Sequence, residues 1–133
     1  PGARDNERQS ALLFADRVRG KFAADFVAGV SSLILATTHR EQIVRGDAQF
    51  ACDIDLASMG SEWPLVLADC HALRVEESHC AADRYAAAKL RFFDALLARQ
   101  RIFHTDFFHA RYEDSTRANI ARFSAMLRAG DFC

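Results

Sequence analysis

Proline is almost absent from this chain, and that scarcity decides its secondary structure. After the first residue only Pro64 interrupts backbone hydrogen bonding, while Ala, Leu, Arg and Phe recur throughout. Proline is the residue that most strongly breaks a helix interior, and Ala, Leu and Arg are among the best helix formers. An all-α fold is therefore predicted. Strands have almost no support, since no stretch shows the sustained alternation of apolar and polar residues that they need. A length of 133 residues lies in the ordinary range of one domain, so a single bundle of about five or six helices is expected.

Caps and glycines set the expected boundaries. The first helix should start near Asp5 or Asn6, where Asn6 and Gln9 have capping-box spacing, and stop at Gly20. Its apolar face uses Ala11, Phe14, Ala15 and Val18. The second runs from about residue 21 to residue 39, with Phe22, Phe26, Val30, Leu33 and Ile34 at helical spacing. After Gly29 it is apolar around most of its circumference, which predicts a place in the middle of a bundle. Gly46 and Asp47 read as a turn and an N-cap for a short third helix, with Phe50, Ile54 and Ala57 on one side and Gly60 at its end. Ser61 is a candidate cap for a fourth helix that carries Pro64 in its first turn and passes through Leu67, Cys70 and Leu73 toward Ser78. A fifth covers roughly residues 82 to 98, and Thr105 caps a last long helix that ends at Gly130.

Several classes of function are disfavoured by charge and patterning. The formal charge is -1 and the basic residues are interleaved with acidic ones, whereas a phosphate-tracking surface needs a net positive patch. No nucleic-acid polymer is expected as a partner. Apolar stretches such as Val30 to Ala36 are far shorter than the ~20 residues of a membrane-spanning helix, so no membrane partner is expected. No secretory signal pattern opens the chain at Pro1. Cys52, Cys70, Cys80 and Cys133 form no Cys-x-x-Cys pair, which predicts reduced, mostly buried thiols in a cytoplasmic protein rather than a zinc ribbon or redox motif.

One set of landmarks points further. The run from Leu33 to His39, with Thr37 and Thr38 before the histidine, is followed after a turn by the run from Asp53 to Gly60, with Asp55 before Leu56. The opening from Asp5 to Ser10, the segment from Leu73 to Glu76, Tyr85 with Lys89, the segment from Arg101 to Thr105, and Glu113 with Arg117 and Asn119 follow in order. Together these resemble a small bacterial family of predicted HD-superfamily metal-dependent phosphohydrolases, over nearly the whole chain. Lys89 stands where that family more often has Arg, and Glu77 where Tyr is common. The chain contains no adjacent His-Asp pair. In the family that pair and an earlier His precede the Asn-Glu segment, so the resemblance implies an HD-type bundle incomplete at its N-terminus.

The resemblance also implies a site. HD enzymes hold a divalent cation with two imidazoles and two carboxylates, and such a cation polarises phosphoryl oxygens and supplies a nucleophilic water near neutral pH. Asp55 is the expected metal ligand, with Asp53 in reserve, because residues two apart on a helix point in nearly opposite directions. Both also have an ordinary structural explanation, since early acidic residues oppose a helix dipole. His39 is placed on the phosphate side, to bind substrate or orient the bound water, and a dipole role near a helix C-terminus competes with that. Arg74 and Lys89 are the candidate phosphate contacts, with salt bridging as the alternative. The expected cofactor is Mn, Fe, Co, Ni, Zn or Mg, and the expected substrate a phosphorylated small molecule or nucleotide. The parent protein is expected to carry the activity and this chain alone to be inactive. The competing expectation is a non-catalytic helical interaction or dimerisation module. If helices that pack on the second and third helices are missing, those faces should be exposed and favour self-association into a homodimer.

Overall fold

The computed structural model describes residues 5–39 and 46–132. Every regular element among them is helical, which agrees with the predicted all-α class. In chain order these are α1 (Asn6–Arg17), α2 (Ala24–Ala36), α3 (Asp47–Ala57), a 3-10 turn (Ser58–Gly60), α4 (Trp63–Glu76), α5 (Ala82–Leu97) and α6 (Asp106–Ala129). Where the sequence suggested one core, contacts divide the chain into two compact units that meet in sequence between Asp55 and Leu56.

The second unit holds the closed core. Leu56, Val66, Tyr85, Phe93, Leu96, Ile102, Phe103, Ile120 and Phe123 are buried in one cluster there. Helix α6 is the organiser, packing against α4, α5 and the 3-10 turn. Its ends form as its residues dictate. The Thr105 hydroxyl accepts the Phe108 N–H at the N-cap, and Gly130 takes the left-handed conformation, φ 76°, at the other end, as N- and C-cap chemistry favours. Phe132 folds back onto Phe123 with ring centroids 4.7 Å apart and turns nearly edge-on, an arrangement that suits the aromatic quadrupole.

Gly60 has a different job from the expected helix cap. Its φ is not positive; instead, a Cβ there would lie 2.9 Å from both Cβ and Cδ1 of Tyr112 and 3.0 Å from Thr116 Oγ1. Only glycine lets the turn approach α6 so closely. The turn is then clasped by polar side chains of α6. Ser115 donates to the Gly60 carbonyl at 2.9 Å, and the Asn119 amide donates to the carbonyls of Met59 and Ser61 at 2.8 and 2.9 Å.

The first unit is built differently. Helices α1 and α2 pack as a pair, and on α1 the face expected from the sequence turns inward, with Ala11 buried and Phe14, Ala15 and Val18 half-buried. Two expectations fail here. No residue of α2 is buried, although its apolar circumference suggested a central position; among the described helices α1 is the one that packs along it, and that leaves much of its circumference exposed. On α3, Phe50 and Ile54 of the expected apolar side are exposed, and the buried positions are Cys52, Asp53 and Leu56. The Asn6–Gln9 capping box is absent as well, because Asp5 is the N-cap residue of α1 and its side chain makes no cap hydrogen bond. In the second unit, Glu62 rather than Ser61 precedes α4 as its N-cap residue.

Candidate functional site

The strongest concentration of unusual features in the first unit is at His39. Three residues beyond the last turn of α2, His39 takes a positive φ of 54°, alone among the described non-glycine residues. That left-handed backbone is uncommon for side chains with a Cβ, and it persists where the surroundings hold it in place. What it achieves is a contact. The His39 Nε2 lies 2.7 Å from Asp55 Oδ2, and because a carboxylate only accepts, Nε2 carries the proton of that bond. A second tie runs beside it, since the Cys52 thiol donates to the Ala36 carbonyl at 3.2 Å. Both span sixteen residues and fasten the end of α2 to α3.

Exposure assigns roles within the pair. The His39 side chain is 3 % exposed and that of Asp55 is 50 % exposed. The carboxylate can therefore meet a solute, while the imidazole stands behind it and fixes its orientation. His39, expected to bind substrate or orient the bound water, is thus in contact with Asp55. Asp53, the reserve candidate, is fully buried, and Asp55, the expected ligand, is half-exposed. Imidazole nitrogen and carboxylate oxygen are suitable donors for the expected metals. Their number is too small, however: no group of three or more His, Cys, Asp or Glu side chains comes together to hold an ion among the described residues. Two donors fall short of the usual protein ligand set.

Arg74 and Lys89 belong to the second unit, where they meet around Tyr85. The Arg74 guanidinium carbon lies 5.0 Å and the Lys89 ammonium 5.4 Å from the Tyr85 ring centroid, both within cation–π range. Lys89 also pairs with Glu77 at 3.4 Å, and Arg74 donates to the Glu77 carbonyl at 3.0 Å. The salt-bridged alternative thus describes Lys89, and both cations are engaged locally.

A further polar cluster closes the loop before α6. The Glu113 carboxylate accepts the backbone N–H of Ile102 at 3.0 Å and of Phe103 at 3.2 Å, lies 3.1 Å from His109 Nδ1, and accepts from Arg117 Nε at 2.7 Å. Burial alone would raise this carboxyl, but the two backbone donors, His109 and Arg117 outweigh it and hold it below the ordinary carboxylate range. Arg117 in turn donates to the carbonyls of Leu97, Arg99 and Gln100, satisfying the end of α5. The expected Glu113–Arg117 pair is present; the His109 contact, also four residues from Glu113, was not expected. This network ties the loop before α6 to the end of α5 and the first turns of α6.

None of the family models, curated proteins or solved structures compared with this chain matches it. Functional reasoning therefore rests on the residues above.

Proposed function

We propose that this chain is part of a metal-dependent phosphohydrolase of HD type acting on a phosphate ester or nucleotide, with Asp55 as its reacting-side carboxylate and His39 as the residue that positions it. The observation that carries the proposal is the 2.7 Å contact between a buried imidazole and a half-exposed carboxylate, formed through a left-handed backbone at His39. Such strain is characteristic of functional sites.

In this reading a divalent ion supplies the polarising charge and the activated water. His39 and Asp55 are the residues of this chain that would border it, and the remaining ligands must come from elsewhere. Asp55 presents its outward oxygen, and His39 holds the other oxygen through Nε2–H. The test is turnover of p-nitrophenyl phosphate and of nucleoside phosphates by the full-length protein with Mn, Co, Ni, Zn or Mg. Loss of turnover in Asp55→Ala is expected, with a smaller loss in His39→Gly. Absence of turnover with every metal would overturn the proposal.

A helical interaction module is the second reading, favoured by a separate observation. Leu12, Leu13, Phe22, Phe26 and Leu35 of the first unit are all exposed, and Phe22 and Phe26 lie side by side with ring centroids 5.2 Å apart, the kind of apolar surface a partner helix could cover. Sedimentation equilibrium separates the two: concentration-dependent association lost in Phe22→Asp/Phe26→Asp, without any turnover, would favour the module.

A further inference from the structure

The second unit contains a cavity of about 120 Å³, and nothing in the phosphohydrolase reading uses it. Its walls are mostly apolar, formed by Met59, Val66, Leu73, Phe92, Phe93 and Phe123. Asp69 and Leu73 are exposed lining residues, so the space opens to solvent on their side. A dry cavity of roughly 150 Å³ in another protein accepts benzene, so this one is of the size for a single ring or a compact branched chain.

Tyr85 is the buried hydroxyl among the lining residues. The residue lines the space and is 1 % exposed, and its hydroxyl has no hydrogen-bond partner among the described residues. Buried hydroxyls are nearly always paired, and an unpaired one asks for an explanation such as a ligand. Burial, with the neighbouring Cys70 and Glu77, pushes the phenol up to about 12, so the group keeps its proton and can donate across the ordinary pH range. The stacked cations of Arg74 and Lys89 hold the ring in place. Charge at the wall is balanced, because Lys89 is matched by Glu77 and Asp69 also lines the space. Cys70 contributes a neutral thiol, raised to about 11 chiefly by burial, and is no nucleophile near neutral pH.

We infer that this cavity is a binding site for a compact, uncharged molecule with an aromatic or alicyclic body and one hydrogen-bond acceptor, which would take the Tyr85 hydroxyl proton in a hydrogen bond while its ring meets Phe93 and Phe123. A balanced wall offers an anion no surplus charge, and apolar walls offer a wholly polar molecule little. The site does not depend on Asp55 or His39, which lie in the first unit.

The test uses the whole chain, labelled with nitrogen-15 and titrated with acetophenone and with ethylbenzene, which share a ring and a two-carbon arm but differ in the carbonyl. Saturable shifts of amides near Tyr85, Phe93 and Phe123 are expected with both, and acetophenone should bind about tenfold more tightly, the scale of one well-made hydrogen bond to a buried donor. Tyr85→Phe should abolish that preference. Leu73→Trp, at the exposed mouth, should weaken both ligands by about tenfold or more by filling the space. A cavity that merely holds water would give no saturable shift with either compound, and that result overturns the inference. An acetophenone preference that survives in Tyr85→Phe overturns it as well. Should Tyr85→Phe fail to fold, binding unchanged in Leu73→Trp would be sufficient refutation.

Discussion

The two units of this chain handle apolar residues in opposite ways. In the second, phenylalanines such as Phe93, Phe103 and Phe123 are almost wholly buried, and α6 gathers them with α4, α5 and the 3-10 turn. In the first, Phe22, Phe26 and Phe50 are each at least half exposed, and α2 buries nothing. Both units draw on the same apolar alphabet. What differs is how completely surrounding side chains cover each residue, and so the free energy that the same residue type contributes.

The sharpest way to break this comparison is to make the same truncation in each unit. Phe123→Ala removes a side chain that is 1 % exposed and should cost about 3–5 kcal/mol, the usual range for a buried aromatic. Phe26→Ala removes one that is 51 % exposed and should cost under about 1 kcal/mol. Urea unfolding followed by circular dichroism would measure both, and equal costs would show that Phe26 is covered in solution. Native-state hydrogen exchange extends the test, since amides of α1 and α2 should exchange well before those of α6.

The next largest effect concerns the carboxylate that closes the second unit. Glu113→Ala leaves the N–H groups of Ile102 and Phe103 and the Arg117 guanidinium without their shared acceptor, and should cost about 3 kcal/mol. Its titration gives an independent handle. Because the folded carboxyl lies below its ordinary value, the stability it contributes is fully present above the unfolded pKa of about 4.3 and is lost as pH falls through the folded value. The wild type should therefore weaken progressively below about pH 4.3, and Glu113→Gln should lack that part of the decline. At the other extreme, the raised values of Cys70, about 11 against 9.0, and Tyr85, about 12 against 10.0, mean that the unfolded chain loses these protons first. Stability should fall as pH rises from 9 to 12, and Tyr85→Phe should remove the upper part of that fall.

A third substitution probes how the second unit closes. Gly60→Ala places a methyl group 2.9 Å from Tyr112 Cβ, an atom fixed to the α6 backbone, so helix and turn must part. A cost of about 1–3 kcal/mol is expected, typical of overpacking. Thermal unfolding unchanged in Gly60→Ala would mean that the turn is not clasped by Ser115 and Asn119 as described.

These contrasts also explain what the sequence made legible. Thr105, Gly130 and the Glu113–Arg117 pair act through local geometry, at caps or four residues apart, so spacing alone revealed them. The buried positions of α3 were not legible in the sequence, because Phe50 and Ile54 outweigh Cys52 in hydrophobicity and yet are the exposed ones. Helical spacing showed that Asp53 and Asp55 point apart, but not which of the two is buried. Gly60 carried an ambiguous signal, since a glycine at a helix end suits a left-handed cap and a close approach equally well. The cavity beside Tyr85 had no sequence signature, because it exists only where residues from the 3-10 turn, α4, α5 and α6 converge. His39 was noticed for its chemistry, but nothing in the residues around it foretold its backbone.

That backbone supplies the smallest and most selective test, because it asks whether the first unit, poor in burial elsewhere, is tightly specified at this one point. His39→Ala and His39→Gly both remove the imidazole and its bond to Asp55. They differ only in whether a Cβ must be held at a φ of 54°, a conformation that costs a residue with a Cβ roughly 1–2 kcal/mol and glycine almost nothing. Part of that advantage is offset by the greater freedom of glycine in the unfolded chain, so the glycine variant should be more stable than the alanine variant by about 0.5–1 kcal/mol. Chemical unfolding of the two proteins side by side, read at α1 and α2 by hydrogen exchange, would resolve such a difference. Equal stability, or an advantage for alanine, would mean that His39 is not held in the left-handed region, and the proposed fixing of Asp55 by a strained neighbour would lose its structural basis.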